Sequence, residues 1–287
     1  MNDLVAYVRQ IGTQEPGQGL SPLAQWSFAE GSGSRATDRS AFARVLSLSN
    51  SQWVASPLGV GEEKGALQYN GVNAVASSDG PMLDTSASYS VAAWVQLADV
   101  NGWQTFVNQD GQRVSGFWLQ FSEYQGSKFL FTTARWDSTM SPVIRALSNT
   151  VPVPGEWYHL VGVRDAEAGK LRLYVNGQLE GQADYSARWT ANGNLNLGRG
   201  KYGSPNAWAA AIIDEVGLYQ YALSSADVAR LFEQEKPQQQ PAVNLANSAD
   251  LDTSYLAWGA DLDAVNDGYE PENSRDSSHG VYSNARW

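Results

Sequence analysis

Two neighbouring segments in the middle of the chain constrain its fold more than any other feature. Residues 157–163 read Trp-Tyr-His-Leu-Val-Gly-Val, and residues 171–177 read Leu-Arg-Leu-Tyr-Val-Asn-Gly. Apolar side chains occupy alternate positions from 171 to 175, which is the two-residue period of a half-buried β-strand. Asn176 and Gly177 are the pair that a tight hairpin turn favours, because both residues tolerate a positive φ. The two segments therefore predict antiparallel strands, with a tight hairpin turn at Asn176–Gly177.

Similar strand patterns recur along most of the chain. From Ala24 onward, short apolar runs are separated by Gly, Asn, Asp and Ser. This spacing is typical of an all-β, two-sheet antiparallel sandwich, in which each strand buries one face. The clearest predicted strands lie at residues 65–69, 89–97, 116–121, 129–134, 157–163, 171–175, 195–197 and 212–219.

One short helix is expected after the last of these strands. Ser224 and Asp227 have the spacing of a capping box, and an apolar stripe with helical spacing follows them. The helix should end near Lys236, because Pro237 cannot continue it.

Composition divides the chain into four parts. Residues 1–20 are predicted to be a leader or linker, residues 21–236 the sandwich with its C-terminal helix, and residues 237–242 a polar linker. A second pattern begins at residue 243, but residues 243–287 are too few for a complete β-sandwich, which needs roughly 100 residues. We therefore predict a truncated second β domain that is marginally ordered at best.

The charge of the chain limits the partners that it can bind. Its formal net charge is −11 and it has no basic cluster, which argues against nucleic acids and anionic membranes as partners. No run approaches the ~18 apolar residues that a membrane span needs. The chain has no Cys, so disulfides and thiolate metal sites are excluded. A neutral polysaccharide or glycan fits this composition best.

Signals for catalysis are few. Histidine occurs twice: His159 is expected to be buried with a hydrogen-bond partner, and His279 to lie in a solvated loop. The sequence has no zinc-protease motif, nucleophile elbow or phosphate-binding loop. Asp214 and Glu215 are adjacent, so strand alternation should direct their carboxylates to opposite faces. That arrangement does not give the opposed pair of a glycosidase.

Asp214 is nevertheless an unusual residue. Alternation places it on the same strand face as Ile212, Val216 and Leu218, where an ionised carboxylate is costly unless it is paired or bound to a cation. A salt bridge with Arg35 or Arg39 is the alternative to a cation.

Aromatic residues in polar settings form the remaining signal. The chain has 11 Trp and 13 Tyr. An exposed ring offers a flat apolar face to a sugar, while polar neighbours can bind the sugar hydroxyls. Packing at the edge of the sandwich is the alternative for each ring, because Trp is usually largely buried. The candidates for sugar contacts are Trp103, Trp118, Trp136, Tyr202 and Trp208.

Three segments in order resemble one known family. Residues 26–33, the hairpin at 157–177, and residues 212–219 with the segment that follows them are similar to the laminin-G-like (concanavalin A-like lectin/glucanase) jelly roll. The resemblance covers roughly residues 21–235. In that family, the positions that match Asp38 and Asp214 often help to bind a structural Ca²⁺, and the resemblance implies the same here. Residues 244–246 and 264–268 resemble the start of a discoidin-like (factor 5/8 C-type) domain.

These features together predict a non-catalytic carbohydrate-binding module that acts as a monomer. The pairing of the two domain types resembles accessory regions of larger, secreted bacterial glycoside hydrolases. The first residues lack the basic and apolar regions of a signal peptide, so we expect an internal piece of a longer extracellular chain. Three alternatives stay open: a protein-interaction or adhesion module, a glycosidase or lyase on the same scaffold, and a spacer domain.

Overall fold

A computed structural model describes residues 20–58 and 65–237. The predicted second domain, nearly all of the predicted leader and most of the 237–242 linker lie outside the described residues. Within the described ranges the chain has eighteen β-strands, one short 3₁₀ helix and one α-helix. No helix in these ranges has both the length and the apolar composition that a membrane crossing requires.

The strands follow one another along the chain in short segments. The first nine are β1 (Ala24–Trp26), β2 (Arg35–Thr37), β3 (Val45–Ser49), β4 (Gln52–Ala55), β5 (Gly65–Asn70), β6 (Val75–Ser77), β7 (Tyr89–Leu97), β8 (Trp103–Asp110) and β9 (Ser115–Ser122). After the 3₁₀ helix at Glu123–Gln125 come β10 (Lys128–Ala134), β11 (Val143–Leu147), β12 (Trp157–Asp165), β13 (Lys170–Val175), β14 (Gln178–Asp184), β15 (Leu195–Leu197), β16 (Gly200–Tyr202), β17 (Ser204–Asn206), β18 (Ala210–Tyr219) and the helix α1 (Ser225–Glu235).

The strands form two large antiparallel sheets and one small hairpin. The first sheet has the order β14-β13-β12-β7-β18-β5-β4, with β1 paired to β18. The second has the order β11-β10-β9-β8-β15-β6-β3-β2, and β16 pairs with β17 alone. This arrangement confirms the predicted all-β sandwich with one short helix.

The main core lies between the two sheets. Strands β8 to β10 contribute several of its rings, including Phe106, Phe117 and Phe131, all of which are buried. Because side chains alternate along a strand, the inward position of Phe117 directs Trp118 to the outer face of the second sheet. The outer face of that sheet therefore carries residues that the core does not use.

The helix α1 covers part of the outer face of the first sheet. Its capping box is present as predicted, with the Ser224 side chain and Asp227 each accepting from the backbone of the other. Val228 and Leu231 pack in a second apolar cluster on that face. The Asn176–Gly177 turn has positive φ at both residues, 48° and 79°, which confirms the predicted tight hairpin.

Strand β18 departs from simple alternation in its middle. Its pairing with β7 shifts register between Asp214 and Gly217, and Glu215 has a φ of 44°. This irregularity is a β-bulge, which adds a residue and reverses the faces beyond it. Ile213 and Val216 thus both face the main core. The expectation that Asp214 shares a face with Val216 and Leu218 was wrong, because it assumed an unbroken strand.

Candidate functional site

A groove of about 540 Å³ lies on the outer face of the second sheet. Its lining residues come from the β8–β11 strands, the 3₁₀ helix that follows β9, and the β16–β17 hairpin. Both its volume and its mixture of aromatic and polar side chains are in the range of small-molecule sites.

The floor of the groove is polar and closely packed. Trp118, Thr132 and Arg145 lie directly opposite one another on β9, β10 and β11, so they form a row across the sheet. Gln120 lies next along β9 on the same face, and its Nε2 donates to Thr132 Oγ1 at 2.9 Å. Trp118, Gln120 and Thr132 are buried, so they define the depth of the groove.

Three aromatic rings reach further into solvent. Trp103 begins β8, and its ring centroid lies 6.4 Å from that of Tyr124 on the 3₁₀ helix. Tyr202 comes from the β16–β17 hairpin, and its hydroxyl donates to the carbonyl of Thr139. Tyr124 is 69% exposed and Tyr202 is 44% exposed. These rings offer apolar surface to a ligand that enters the groove.

Arg145 supplies the charge of the groove. Its guanidinium carbon lies 5.8 Å from the ring centroid of Trp103, which is a cation–π distance. Within the described part of the chain its side chain makes no hydrogen bond or ion pair, and its Nε is buried without a partner. The guanidinium therefore retains its hydrogen-bonding capacity for a ligand.

A glycine lets the β16–β17 hairpin approach the floor. A Cβ at Gly200 would lie 2.9 Å from Cδ1 of Trp118 and 2.8 Å from Oγ1 of Thr105. Real Cβ atoms avoid such contacts, so this close approach requires glycine. The contact holds the hairpin against the indole of Trp118.

The sequence-predicted sugar-binding residues divide into two groups. Trp103, Trp118 and Tyr202 line the groove, although Trp118 is 5% exposed and contributes to the floor. Trp136 is exposed on the turn after β10 and Trp208 is half-buried after β17. Neither is among the residues that line the groove.

Two aromatic or charged residues of the groove lining, Tyr124 and Arg145, were not predicted from the sequence. Tyr124 lies in a polar Ser-Glu-Tyr-Gln-Gly segment, where an aromatic residue is as conspicuous as the chosen tryptophans. Arg145 interrupts a short apolar run, Val-Ile-Arg-Ala-Leu, and a charge in such a run marks an outward-facing strand position. The sequence contains both signals, but only the structure connects them to the groove: the register across β9, β10 and β11 places Arg145, and the 3₁₀ helix places Tyr124 beside Trp103.

A comparison with protein families gives the fold a name. The family model Laminin_G_3, described as the concanavalin A-like lectin/glucanases superfamily, matches residues 70–229. The match extends over more than half of the chain and includes every strand from β6 to β18. The chain belongs to this superfamily. The jelly-roll resemblance seen in the sequence is thereby confirmed, whereas the discoidin-like segment stays a prediction.

Solved structures share this lectin-like fold at low sequence identity. The receptor-binding domain of botulinum neurotoxin type G is 13% identical with a TM-score of 0.55, over 75% of this chain and 51% of that one. The binding domain of Paraclostridial Mosquitocidal Protein 1 is 13% identical with a TM-score of 0.55, over 74% of this chain and 52% of that one. A Trypanosoma rangeli sialidase is 15% identical with a TM-score of 0.52, over 75% of this chain and 33% of that one. At such identities the likeness shows the fold alone. The chain spans about half the length of the two binding domains. No curated protein sequence matches it.

The two acidic positions that the superfamily resemblance selected as calcium ligands are Asp38 and Asp214. Asp38 accepts hydrogen bonds from the backbone amides of Gln25, Ser40 and Arg44 and from the Ser40 hydroxyl. Both of its oxygens are thus occupied by donors, which a cation would have to displace. Among the described residues, no three or more His, Cys, Asp or Glu side chains are placed so that they could hold a metal ion. The residues as placed do not fit a calcium ion, and the calcium site stays a prediction.

Asp214 belongs instead to a buried group beneath the helix α1. One of its oxygens accepts from the Ser56 hydroxyl and the other from the backbone amide of Glu215. Burial raises the pKa of Asp214 to about 7. Burial, reinforced by Glu215 and Asp214, also raises the pKa of Glu235 well above its usual value. We call Asp214, Glu215 and Glu235 the carboxylate cluster.

His159 lies beside the carboxylate cluster. It is fully buried, as predicted, but neither ring nitrogen makes a hydrogen bond, so the expected partner is not found. Its Nε2 is 3.4 Å from Oε2 of Glu235. Burial lowers the pKa of His159 to about 3, so the imidazole is neutral at physiological pH. These residues are closed off from solvent, in contrast to those of the groove.

Proposed function

We propose that this chain is a non-catalytic carbohydrate-binding module and that the groove on the second sheet is its binding site. The observation that carries this proposal is the combination of three solvent-facing rings, Trp103, Tyr124 and Tyr202, with a polar floor. A pyranose ring has apolar C–H faces and polar hydroxyl edges. The groove presents matching surfaces to both, since rings can cover the faces while floor and rim groups bind the hydroxyls.

The chemistry of the lining favours binding over hydrolysis. Glycosidases use two carboxylates flanking the scissile bond, roughly 5–10 Å apart. Among the described residues that line the groove, none is Asp or Glu. The carboxylate cluster lies on the first sheet and its helix, and its members are at most 8% exposed. A polymeric substrate cannot reach carboxylates that are buried in this way.

The larger setting of the module is part of the same proposal. A module of this kind in a secreted bacterial glycoside hydrolase keeps the attached catalytic domain near its polysaccharide, which raises the effective substrate concentration. A shallow groove with few anchoring rings should bind weakly, with dissociation constants of about millimolar to micromolar. The net charge of −11 disfavours highly charged polyanions at long range, and we expect a monomeric protein.

The experiment is a titration of the chain with a panel of plant and microbial oligosaccharides, followed by tryptophan fluorescence and calorimetry. We expect at least one oligosaccharide to bind and to shift the emission, because Trp103 and Trp118 both line the groove. Trp103→Ala and Tyr202→Ala should each weaken that binding about tenfold, since truncating an aromatic anchor typically costs more than 1 kcal/mol.

Trp136→Ala is the matched control. Trp136 is 49% exposed but lies outside the groove, so its loss should leave the affinity unchanged. Absence of binding by every glycan would reject the proposal and favour the adhesion alternative. Equal losses in Trp136→Ala and Trp103→Ala would place the binding site elsewhere.

A further inference from the structure

The charge of the groove is opposite in sign to that of the whole chain. The sequence has 30 acidic and 19 basic residues, yet the lining contains Arg145 and neither Asp nor Glu among the described residues. Glu123 is next in sequence to the lining residue Tyr124, and its Oε2 accepts a hydrogen bond from the backbone amide of Gly102 at 2.9 Å. A ligand inside the groove therefore meets a local positive charge at short range, where screening by salt is incomplete.

The contact between Arg145 and Trp103 leaves the terminal nitrogens of the guanidinium for a ligand. The guanidinium carbon lies over the ring of Trp103, at 5.8 Å from its centroid. The Nε atom is buried without a partner, whereas the two terminal nitrogens are not among the buried unpaired atoms and make no hydrogen bond within the described ranges. A pair of such nitrogens fits the two oxygens of a carboxylate through parallel N–H···O bonds.

Other polar groups of the lining reinforce this preference for an acceptor. The indole N–H groups of Trp103 and Trp118 and the side chain of Asn206 have no hydrogen-bond partner in the described ranges. The indole groups are donors only. With Arg145 they give the groove an excess of unpaired donors, which an oxygen-rich anionic sugar can satisfy.

We infer that the groove selects a saccharide in which one ring carries a carboxylate, a uronic acid for example, and that Arg145 binds that carboxylate. This inference rests on the proposed function and deepens it, because it names the chemical class of the ligand. It also replaces the expectation of a strictly neutral glycan with a local argument. Net charge governs long-range attraction, whereas the groups inside the groove govern selectivity at contact.

The test compares two ligands that differ only in the carboxylate. The first is a trimer of galacturonic acid, and the second is the galactose trimer obtained by reducing its carboxyl groups. Calorimetry on the full chain at low salt should show about tenfold tighter binding of the acidic trimer, as expected for a charge-assisted pair. Added salt should weaken the acidic trimer selectively, since salt screens the pair.

Arg145→Gln and Arg35→Gln make the same change of charge at two places, so together they show whether the preference for the acidic trimer comes from the groove. Arg145→Gln should reduce the affinity for the acidic trimer about tenfold and that for the neutral trimer by much less, whereas Arg145→Lys should restore part of the loss because Lys keeps the charge without the fork. Arg35→Gln is the matched control, since Arg35 is exposed on β2 at the opposite edge of the same sheet. It should change neither affinity. The side chain of Arg145 makes no hydrogen bond within the described fold, so its variants should fold, which circular dichroism checks.

Each result separates this inference from the proposed function. Equal binding of the two trimers, or equal losses in Arg145→Gln and Arg35→Gln, would overturn the carboxylate assignment while leaving a glycan-binding groove. Tighter binding of a sulfated galactose trimer than of the acidic trimer would reassign the anion and also overturn it. Binding of other glycans with no response to either trimer would overturn the inference alone. Failure of the whole glycan panel would overturn both.

Discussion

The groove and the carboxylate cluster each place a tryptophan beside a charged group, but in opposite surroundings. In the groove, Trp103 lies under Arg145 at a partly exposed surface, and the guanidinium has no other partner in the described chain. In the cluster, Trp94 is 3% exposed, donates to Glu235 at 3.1 Å and stacks on Phe232 with centroids 5.6 Å apart. The first arrangement is open to a ligand, whereas the second is closed by the helix α1.

The difference shows when an unsatisfied polar group indicates function. An unpaired donor that water can reach costs little in the folded protein and remains available for binding. A buried ionisable group without a full set of partners costs free energy, and the fold responds by shifting its pKa. The unpaired ring nitrogens of His159 and the raised pKa of Asp214 therefore describe a cost to stability. The open edge of Arg145 describes a capacity to bind.

The sharpest way to test this contrast is the same substitution in both regions. Trp94→Ala should lower the free energy of unfolding by about 3–5 kcal/mol, because it leaves a cavity and removes the donor to Glu235. Trp103→Ala should lower it by less than about 1 kcal/mol, since its ring is partly exposed and makes no hydrogen bond within the described residues. Urea denaturation measures both. Comparable losses would show that the groove rings are structural.

A second prediction concerns the pH dependence that the carboxylate cluster creates. The folded-state pKa of Asp214 is raised from 3.8 to about 7. Its stabilising contribution is therefore present below pH ~4 and is lost as the pH rises through about 7. Asp214→Asn removes this titration and retains the shape of the side chain. At each pH, the free energy of unfolding of the parent chain is subtracted from that of the variant. This difference should be larger at pH 8 than at pH 4 by about 2–4 kcal/mol, at roughly 1.4 kcal/mol per pKa unit.

The neighbouring groups set the controls for that experiment. Arg39 lowers the pKa of Asp214 and Glu215 raises it, and both remain in the variant. His159 acts in the opposite direction, since its lowered pKa means that stability is lost as the pH falls from about 6.5 towards 3. Comparing the parent chain with Asp214→Asn at each pH cancels the contribution of His159, because burial alone shifts its pKa. If the stability difference between the two proteins did not change with pH, the pKa of Asp214 would not be raised in the folded state.

Much of the fold followed from local patterns in the sequence. The hairpin of β13 and β14, the helix α1 and strands such as β7 and β15 were all predicted, because each one combines a clear period with a turn or cap residue. The bulge at Glu215 was not predicted. A positive φ at a glutamate depends on tertiary pairing with β7, and no property of an isolated glutamate signals it.

The candidate site was predicted less completely, for a related reason. Trp103 and Tyr202 were selected because an aromatic ring in a polar segment is unusual in itself. Arg145 required knowledge that β9, β10 and β11 are neighbours in register, which brings it level with Trp118. Net charge led to the expectation of a neutral ligand, because a sum over the chain carries no information about which charges share a surface.

A third prediction perturbs the groove without removing any of its functional groups. Gly200→Ala places a Cβ 2.9 Å from Trp118 Cδ1, so the hairpin or the indole must shift. We expect about a tenfold loss of glycan affinity, with about 1 kcal/mol lost in the free energy of unfolding, which is the low end of the cost of overpacking. Ser204→Ala in the same hairpin is the control, because Ser204 is exposed and does not line the groove. Unchanged affinity in Gly200→Ala would show that the position of the hairpin does not shape the site.

The smallest expected effect is that of calcium on the stability of the sandwich. Every oxygen of Asp38 already accepts from a backbone or hydroxyl donor, and Asp214 accepts from Ser56 and Glu215. Because these oxygens are already satisfied, we expect millimolar CaCl₂ and EDTA to give the same unfolding midpoint, as measured by calorimetry. By contrast, calcium at 100 times the dissociation constant of a real site would stabilise the fold by about 2.7 kcal/mol. A calcium-dependent rise in the unfolding midpoint that Asp214→Asn abolishes would instead establish the predicted cation site. It would also show that the carboxylate cluster, like the groove, is open to a ligand.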